Sequence, residues 1–226
     1  MIRSPLGVLL LGLALVGCSP AAEQQDTTPS LGQASSPDQN TYPVGLRIPD
    51  IGVDSHDPWV PLGIQGAVRV DGTKIPVVTK AGEIEVPDVH KPLQLGWYCP
   101  YGISHCGAPV PGQVGPAVVI GHINGDHKNG IFARLAAKDA QGRYLIHPGS
   151  KIEVDRSDNR TFVFTVTELQ VGIPKDQFPT DKVYSDTGGP TIRLITCGPY
   201  DLDRTAHNYR DQTIVYGTLD SVRLTR

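Results

Sequence analysis

The stretch TIRLITCGPY, residues 191–200, has the pattern of a β-strand that ends at a cysteine. Aliphatic side chains alternate with threonine and arginine, as they do in a half-buried strand. Cys197 comes at the end of this run, and Gly198 and Pro199 then provide a turn signal. The stretch therefore predicts a rigid strand end that carries a thiol.

Short apolar runs separated by turn signals continue on both sides of this stretch. The clearest alternation is TFVFTVTEL, and comparable runs occur at 44–53, 59–64, 82–86, 117–123, 150–156 and 213–219. Helical content is expected to be low, and the clearest candidate for a helix is a short one at 130–140. Many short strands with frequent turns favour a barrel or a sandwich over a βαβ fold.

The first residues have the layout of an export signal. An early arginine is followed by an apolar run from Leu6 to Val16 and then by LVGC, which looks like a bacterial lipobox. The run is too short for a stable transmembrane helix, which needs ~20 residues. We predict a lipoprotein signal peptide at 1–17 and a lipid on Cys18, with a plain or uncleaved signal sequence as the alternative. The protein would then be extracytoplasmic and lipid-anchored to the cell membrane.

The segment after Cys18 is rich in Ser, Pro, Gln and Asp and lacks aromatic residues. Such a composition buries too little apolar surface to fold. We therefore predict the lipidated Cys18 and a disordered tether over 18–42, and one folded domain over 43–226. The net charge is −3, and neither a basic patch nor a glycine-rich phosphate loop argues for nucleic acid or nucleotide binding.

The four cysteines divide into three kinds. With Cys18 lipidated, Cys99 and Cys106 enclose a short turn-rich loop and form the natural disulfide pair. Two free thiols or a metal site are the alternatives. Cys197 is then a free thiol in an oxidising compartment, where a free thiol is exposed to oxidation. Metal-binding motifs such as Cys-x-x-Cys or His-Glu-x-x-His are absent, so we expect no metal and no obligatory cofactor.

Two other polar residues lie at predicted strand ends. His122 ends the apolar run PAVVIGH, and Arg210 opens the last predicted strand. A thiolate, an imidazole and a guanidinium together suit acyl transfer: the thiolate attacks a carbonyl, the imidazole moves protons, and the guanidinium stabilises the oxyanion. The spacing alone is equally compatible with non-catalytic roles. Arg210 could be a surface charge paired with Asp211, and His122 could be a histidine at the rim without a catalytic role.

These residues resemble those of a known family. IRLITC with an arginine 13 residues after the cysteine, and AVVIGHINGDHKNGIFARL, are similar to the active-site segments of sortases. VGLRIPDIGVDSHDPWVPLGI and DQFPTDKVYSDTGGPTIRLITC also resemble that family, most closely its actinobacterial class F. The resemblance implies an all-β fold, a closed eight-stranded β-barrel with a few short helices.

The resemblance also implies an activity. Cys197 would be the nucleophile, His122 the general acid and base, and Arg210 the oxyanion or substrate stabiliser. A sortase cleaves a Leu-Pro-x-Thr-Gly-like sorting signal of a secreted protein and passes the acyl group to an amine, such as a peptidoglycan precursor, or to water. Its active form is implied to pair a thiolate with an imidazolium. We expect a monomer of this cysteine transpeptidase type.

Several alternatives remain open at this stage. His127 and His207 are weaker candidates for the base. The insertion 99–115, stapled by its disulfide, either shapes substrate access near the site or only stabilises a loop. The histidine-to-cysteine spacing argues against an L,D-transpeptidase. A non-catalytic envelope lipoprotein that binds peptide or wall fragments on a sortase-like barrel is not excluded.

Overall fold

Strands dominate the fold, as the alternating sequence pattern predicts. The computed structural model describes residues 41–62, 86–100, 106–198 and 209–225. The predicted signal peptide and Cys18 lie outside the described residues. The strands are β1 Pro43–Ile48, β2 Val53–Ser55, β3 Val60–Leu62, β4 Leu95–Tyr98, β5 Gly115–Gly121, β6 Asn124–Gly125, β7 Lys128–Asn129, β8 Lys151–Arg156, β9 Arg160–Pro174, β10 Pro190–Cys197 and β11 Asp211–Leu224.

Nine of these strands form one sheet in the order β2-β1-β8-β9-β11-β10-β5-β4-β3. Neighbours are antiparallel except for the parallel pairs β5 with β10 and β3 with β4. The sheet curls into a half-barrel, and β6 and β7 form a separate small hairpin. The all-β barrel-type prediction is confirmed. Among the described residues the main sheet has nine strands in a half-barrel, instead of the eight strands in a closed barrel that were expected.

Apolar side chains cover both faces of the central strands. On β10, Ile192 and Leu194 belong to the larger core cluster, whereas Ile195 belongs to a second cluster on the other face. All seven residues of β5 are buried. A strand covered on both faces needs a continuous apolar run, because neither set of side chains contacts water. This explains the continuous apolar run of β5 before His122; on β10 the polar residues Thr191, Arg193 and Thr196 are buried as well.

The region predicted to be helical, 130–140, consists mainly of turns, with an isolated β-bridge from Lys138 to Tyr144. Its hydrogen bonds join residues three apart, for example from Leu135 N to Phe132 O. The amide of Phe132 donates to the carbonyl of His122 instead of to a helical partner. Phe132 and Leu135 are both fully buried, so the apolar spacing located core residues correctly and a tertiary hydrogen bond decided the backbone conformation. The prediction of a helix there was wrong.

Helices are few among the described residues. The α-helix α1 spans Thr180–Tyr184, and short 3-10 helices span Pro49–Ile51 and Lys175–Gln177. None of the helices in the described ranges has the length and hydropathy to cross a membrane. The segment with α1 connects β9 to β10 and packs Val183 into the second apolar cluster.

Candidate active site

His122 and Cys197 lie at the same level on two neighbouring parallel strands, His122 just after β5 and Cys197 as the last residue of β10. β5 and β10 pair through Ile120 and Ile195, and each of the two residues lies two positions farther along its chain. Neighbouring strands are about 4.8 Å apart. The parallel register therefore brings a histidine and a cysteine that are 75 residues apart in sequence to the same end of the sheet.

Arg210 lies on the other side of Cys197. β11 runs antiparallel to β10 and pairs Gln212 with Cys197, so Arg210 precedes β11 at the level where β10 has ended. Since β10 lies between β5 and β11 in the sheet, Cys197 lies between His122 and Arg210. The structure thus brings all three predicted residues to one edge, which we call the site edge.

Contacts on several sides hold His122 in place. The residue is partly buried, and its Nε2 is 2.7 Å from the carbonyl oxygen of Pro87. A carbonyl oxygen only accepts hydrogen bonds, so Nε2 carries a proton in this arrangement and Nδ1 is the other nitrogen that can exchange one. The backbone carbonyl of His122 accepts from Phe132 N at 3.0 Å. The contact of Nε2 with Pro87 therefore orients the imidazole, and the bond from Phe132 holds the His122 backbone.

Cys197 is a partly buried free thiol. Burial raises the pKa of this thiol, and the positive charge of Lys175 lowers it in part. Lys175 follows β9, and its backbone amide donates to the carbonyl of Arg210 at 3.0 Å. Lys175 therefore adds a second cation to the site edge. Sequence reasoning missed it, because an exposed lysine in a short 3-10 helix between strands has no distinguishing pattern.

Two glycines allow the close approach of segments at the site edge. A β-carbon at Gly198 would lie 2.8 Å from the Asp211 side chain, and the Gly198 amide donates to the Asp211 carbonyl. A β-carbon at Gly130 would overlap the carbonyl oxygen of His122. The glycine directly after Cys197 was a visible sequence signal of this tight packing.

The alternative histidines do not match the position of His122. His127 is exposed in the turn between β6 and β7 with a φ of 61°. His207 lies outside the described residues. Of the two candidate histidines within the described residues, His122 and His127, only His122 lies at the level of Cys197.

The expected disulfide joins Cys99 to Cys106, and Cys197 is not part of it. Cys99 follows β4, which pairs Trp97 with Val119 of β5 in antiparallel register. Cys99 therefore lies at about the level of Ala117, five residues before His122 on β5, or roughly 17 Å along a strand. This register does not support the expectation that the start of the stapled loop lies near the site edge.

Comparisons with known proteins give a consistent result. A family model described as a sortase domain matches residues 68–220. Sortase A from Corynebacterium diphtheriae (a lid mutant) is 16% identical, with a TM-score of 0.48 over 84% of this chain and 74% of its own. Group B Streptococcus pilus island 1 sortase C2 is 17% identical, with a TM-score of 0.46 over 78% and 73%.

A third structure, Streptococcus agalactiae sortase C1, is 19% identical with a TM-score of 0.41. That match covers 57% of this chain and 54% of the other, so it spans about half of that protein. A search of curated proteins gives no significant match.

The arrangement at the site edge suits nucleophilic chemistry on a carbonyl. Four side chains lie at the ends of four neighbouring strands: the Cys197 thiol, the His122 imidazole, and the cationic Arg210 and Lys175. Strands packed on both faces position such groups more rigidly than loops do. The thiol becomes a nucleophile when its proton passes to a base, and the cations favour the negative charge that develops on the attacked carbonyl oxygen.

Proposed function

The chain belongs to the sortase family, and we propose that it is an extracytoplasmic class F cysteine transpeptidase that acts through a thioester on Cys197. Its substrate in this proposal is a Leu-Pro-x-Thr-Gly-like sorting signal of a secreted protein. The observation that carries the proposal is the register of β5 with β10, which aligns His122 with Cys197. Arg210 flanks Cys197 on the opposite side.

Each residue has a defined role in the proposed reaction. The Cys197 sulfur attacks the threonine carbonyl, and the thiol proton passes to His122. Arg210 stabilises the oxyanion. The bond between threonine and glycine breaks, His122 returns the proton to the leaving amine, and a thioester remains. An amine then attacks the thioester and loses a proton through His122, which restores the Cys197 thiol; water in place of the amine gives hydrolysis.

The surroundings of Cys197 support a reaction that begins from the thiol. Burial raises the pKa of the thiol, so the thiolate is the minor form near neutral pH. A thiolate that forms together with the imidazolium is stabilised by that imidazolium and by the nearby cations. The family resemblance implies that this thiolate–imidazolium pair, a minor protonation state, is the active form.

The sheet face that carries Cys197 supports a peptide substrate with apolar residues. Ile195 lies on the same face as Cys197, because side chains two apart on a strand point the same way. The apolar cluster there includes Ile120 and Ile214, and Ile173 and Phe178 pack against it while remaining partly exposed. A leucine and a proline preceding the scissile bond would find apolar contacts on this face.

The partners and location belong to the same proposal. Sortases act at the cell envelope, and the proposed lipid on Cys18 would keep this chain at the membrane surface. The acceptor is an amine, such as that of a peptidoglycan precursor. The proposed enzyme acts as a monomer.

The test is cleavage of a panel of fluorogenic sorting-signal peptides, with and without amine acceptors, read by mass spectrometry. The wild-type protein is expected to cleave one of them between threonine and glycine and to form an acyl adduct on Cys197. Cys197→Ala abolishes both the adduct and cleavage, and His122→Ala and Arg210→Ala reduce turnover strongly. His147→Ala and Arg143→Ala alter the same residue types at exposed positions and serve as matched controls.

Peptide binding without an adduct or cleavage by the wild-type protein would contradict the proposal. That outcome would favour the non-catalytic lipoprotein alternative, in which Cys197→Ala retains the affinity of the wild type.

A further inference from the structure

A hydrogen bond joins the two segments that flank Cys197. The side-chain amide Nδ2 of Asn124 donates to the hydroxyl of Tyr209 at 2.6 Å, and both residues are partly buried. Asn124 comes two residues after His122, and Tyr209 immediately precedes Arg210. The bond therefore connects the histidine segment to the arginine segment, which are 85 residues apart in sequence.

The position of this bond follows from the order of the strands. β5 and β11 are the two neighbours of β10, so their backbones are about 10 Å apart, twice the spacing of adjacent strands. Asn124 lies three residues beyond the end of β5 and Tyr209 two residues before β11, so their bond joins segments from the two sides of β10. Cys197 is the last residue of β10, so the bond links the two segments that lie on either side of it.

Other contacts hold each segment to its own surroundings. Pro87 accepts from the His122 imidazole, and Lys175 donates to the carbonyl of Arg210. Neither contact fixes the distance from the histidine to the arginine. The bond between Asn124 and Tyr209 constrains that distance directly.

We propose that Asn124 and Tyr209 are a positioning pair that sets the separation of His122 and Arg210 around Cys197. The inference rests on the proposed function, because it assigns the pair a role in that reaction. Neither residue is assigned a bond to be made or broken. The pair acts by keeping the base and the oxyanion stabiliser in place while the carbonyl is attacked.

The energetics of one hydrogen bond make this role distinguishable from a stabilising one. Removal of a partly buried hydrogen bond changes stability little, since such a bond contributes about 1 kcal/mol net. A displacement of about 1 Å in a catalytic group lowers the rate as much as 100-fold. A positioning pair therefore predicts a large change in kcat with a small change in melting temperature.

The test uses Tyr209→Phe, which removes only the hydroxyl, together with Asn124→Ala and the double variant. Each single change is expected to lower kcat about 10- to 100-fold and to leave KM for the peptide nearly unchanged. The double variant is expected to be no slower than the slower single variant, because both changes remove the same bond. Tyr144→Phe, which removes a tyrosine hydroxyl at another partly buried position outside the site edge, is the matched control and retains wild-type kcat.

The outcomes separate the inference from the proposed function. If the wild-type protein cleaves the peptide and both single variants keep its kcat, the positioning role is wrong and the proposed function stands. If the reductions in kcat of the two single variants multiply in the double variant, the two residues do not act through a shared hydrogen bond. If the wild-type protein and Cys197→Ala are equally inactive on every peptide, the proposed function fails and the role assigned to this pair fails with it.

Discussion

Gly130 packs directly against the backbone of His122. The Gly130 amide donates to the carbonyl of Ile123, the residue after His122, at 2.9 Å. A β-carbon on Gly130 would overlap the carbonyl oxygen and carbon of His122. The backbone of the segment after β7 therefore packs directly against the backbone of His122. This support depends on the missing side chain at residue 130.

Gly130→Ala is expected to move the proposed base away from Cys197. The added methyl meets backbone, which cannot rotate away, so the His122 segment has to shift. We expect kcat to fall at least about 10-fold and the free energy of unfolding to fall by about 1–3 kcal/mol. Peptide cleavage and thermal unfolding are the measurements.

Gly189→Ala is the control for this change, because a β-carbon there has open space and the backbone is not in the left-handed region. It should retain both activity and stability. Wild-type kcat in Gly130→Ala would show that the position of His122 does not depend on this contact.

Lys175 is expected to tune the reactivity of Cys197. Its positive charge stabilises the thiolate, so Lys175→Gln should raise the thiol pKa above the already raised wild-type value. The measurement is the rate of alkylation by iodoacetamide as a function of pH. The wild-type midpoint should lie above that of an unperturbed cysteine, about 8.5, and the variant midpoint should lie higher still.

Lys182→Gln is the control for the loss of one lysine charge. Lys182 is bound to both carboxylate oxygens of Glu168 at 2.7 Å, so its charge is largely compensated there. The alkylation midpoint should stay at the wild-type value. Equal alkylation midpoints in Lys175→Gln and wild type would show that Lys175 does not affect the pKa of the Cys197 thiol.

The sequence predicts those parts of the site that depend on a strand pattern. His122 and Cys197 each end an apolar run, so both were expected at strand ends, but the run itself does not reveal that β5 and β10 pair in parallel. The short β4 was missed, because four residues between polar segments give no readable period. Lys175 and Tyr209 were not identified, since polar residues outside regular strands acquire a role only through tertiary contacts.

Loss of the disulfide is expected to affect stability more than turnover. The bridge between Cys99 and Cys106 closes a loop of eight residues, counted from the sequence, and such a loop corresponds to about 2.5 kcal/mol in the chain-entropy model. Because Cys99 lies at the level of Ala117 on the sheet, Cys99→Ser with Cys106→Ser should lower the melting temperature and leave kcat and KM unchanged well below it. A raised KM would instead favour a role of the 99–115 insertion in substrate access.

An ion pair between β1 and β8 is expected to make the fold sensitive to acid. Arg47 donates to both carboxylate oxygens of Asp155, which is almost fully buried and also accepts from Thr161 at 2.6 Å. The bond from Arg47 is the largest cause of the lowered pKa of Asp155. A carboxyl group with a lowered pKa in the folded state stabilises the fold at pH values above its unfolded pKa, about 3.9.

That contribution disappears as pH falls through the lowered folded-state pKa, since the unfolded chain binds the proton first. Asp155→Asn should therefore lower the free energy of unfolding at pH 7 by about 1.5–3 kcal/mol. This difference in stability from wild type should shrink below about pH 4. Asp220→Asn removes an exposed partner of Lys151 and should change stability little at either pH. A constant difference between Asp155→Asn and wild type from pH 7 to pH 2 would mean that the ionised carboxylate is not what joins β1 to β8.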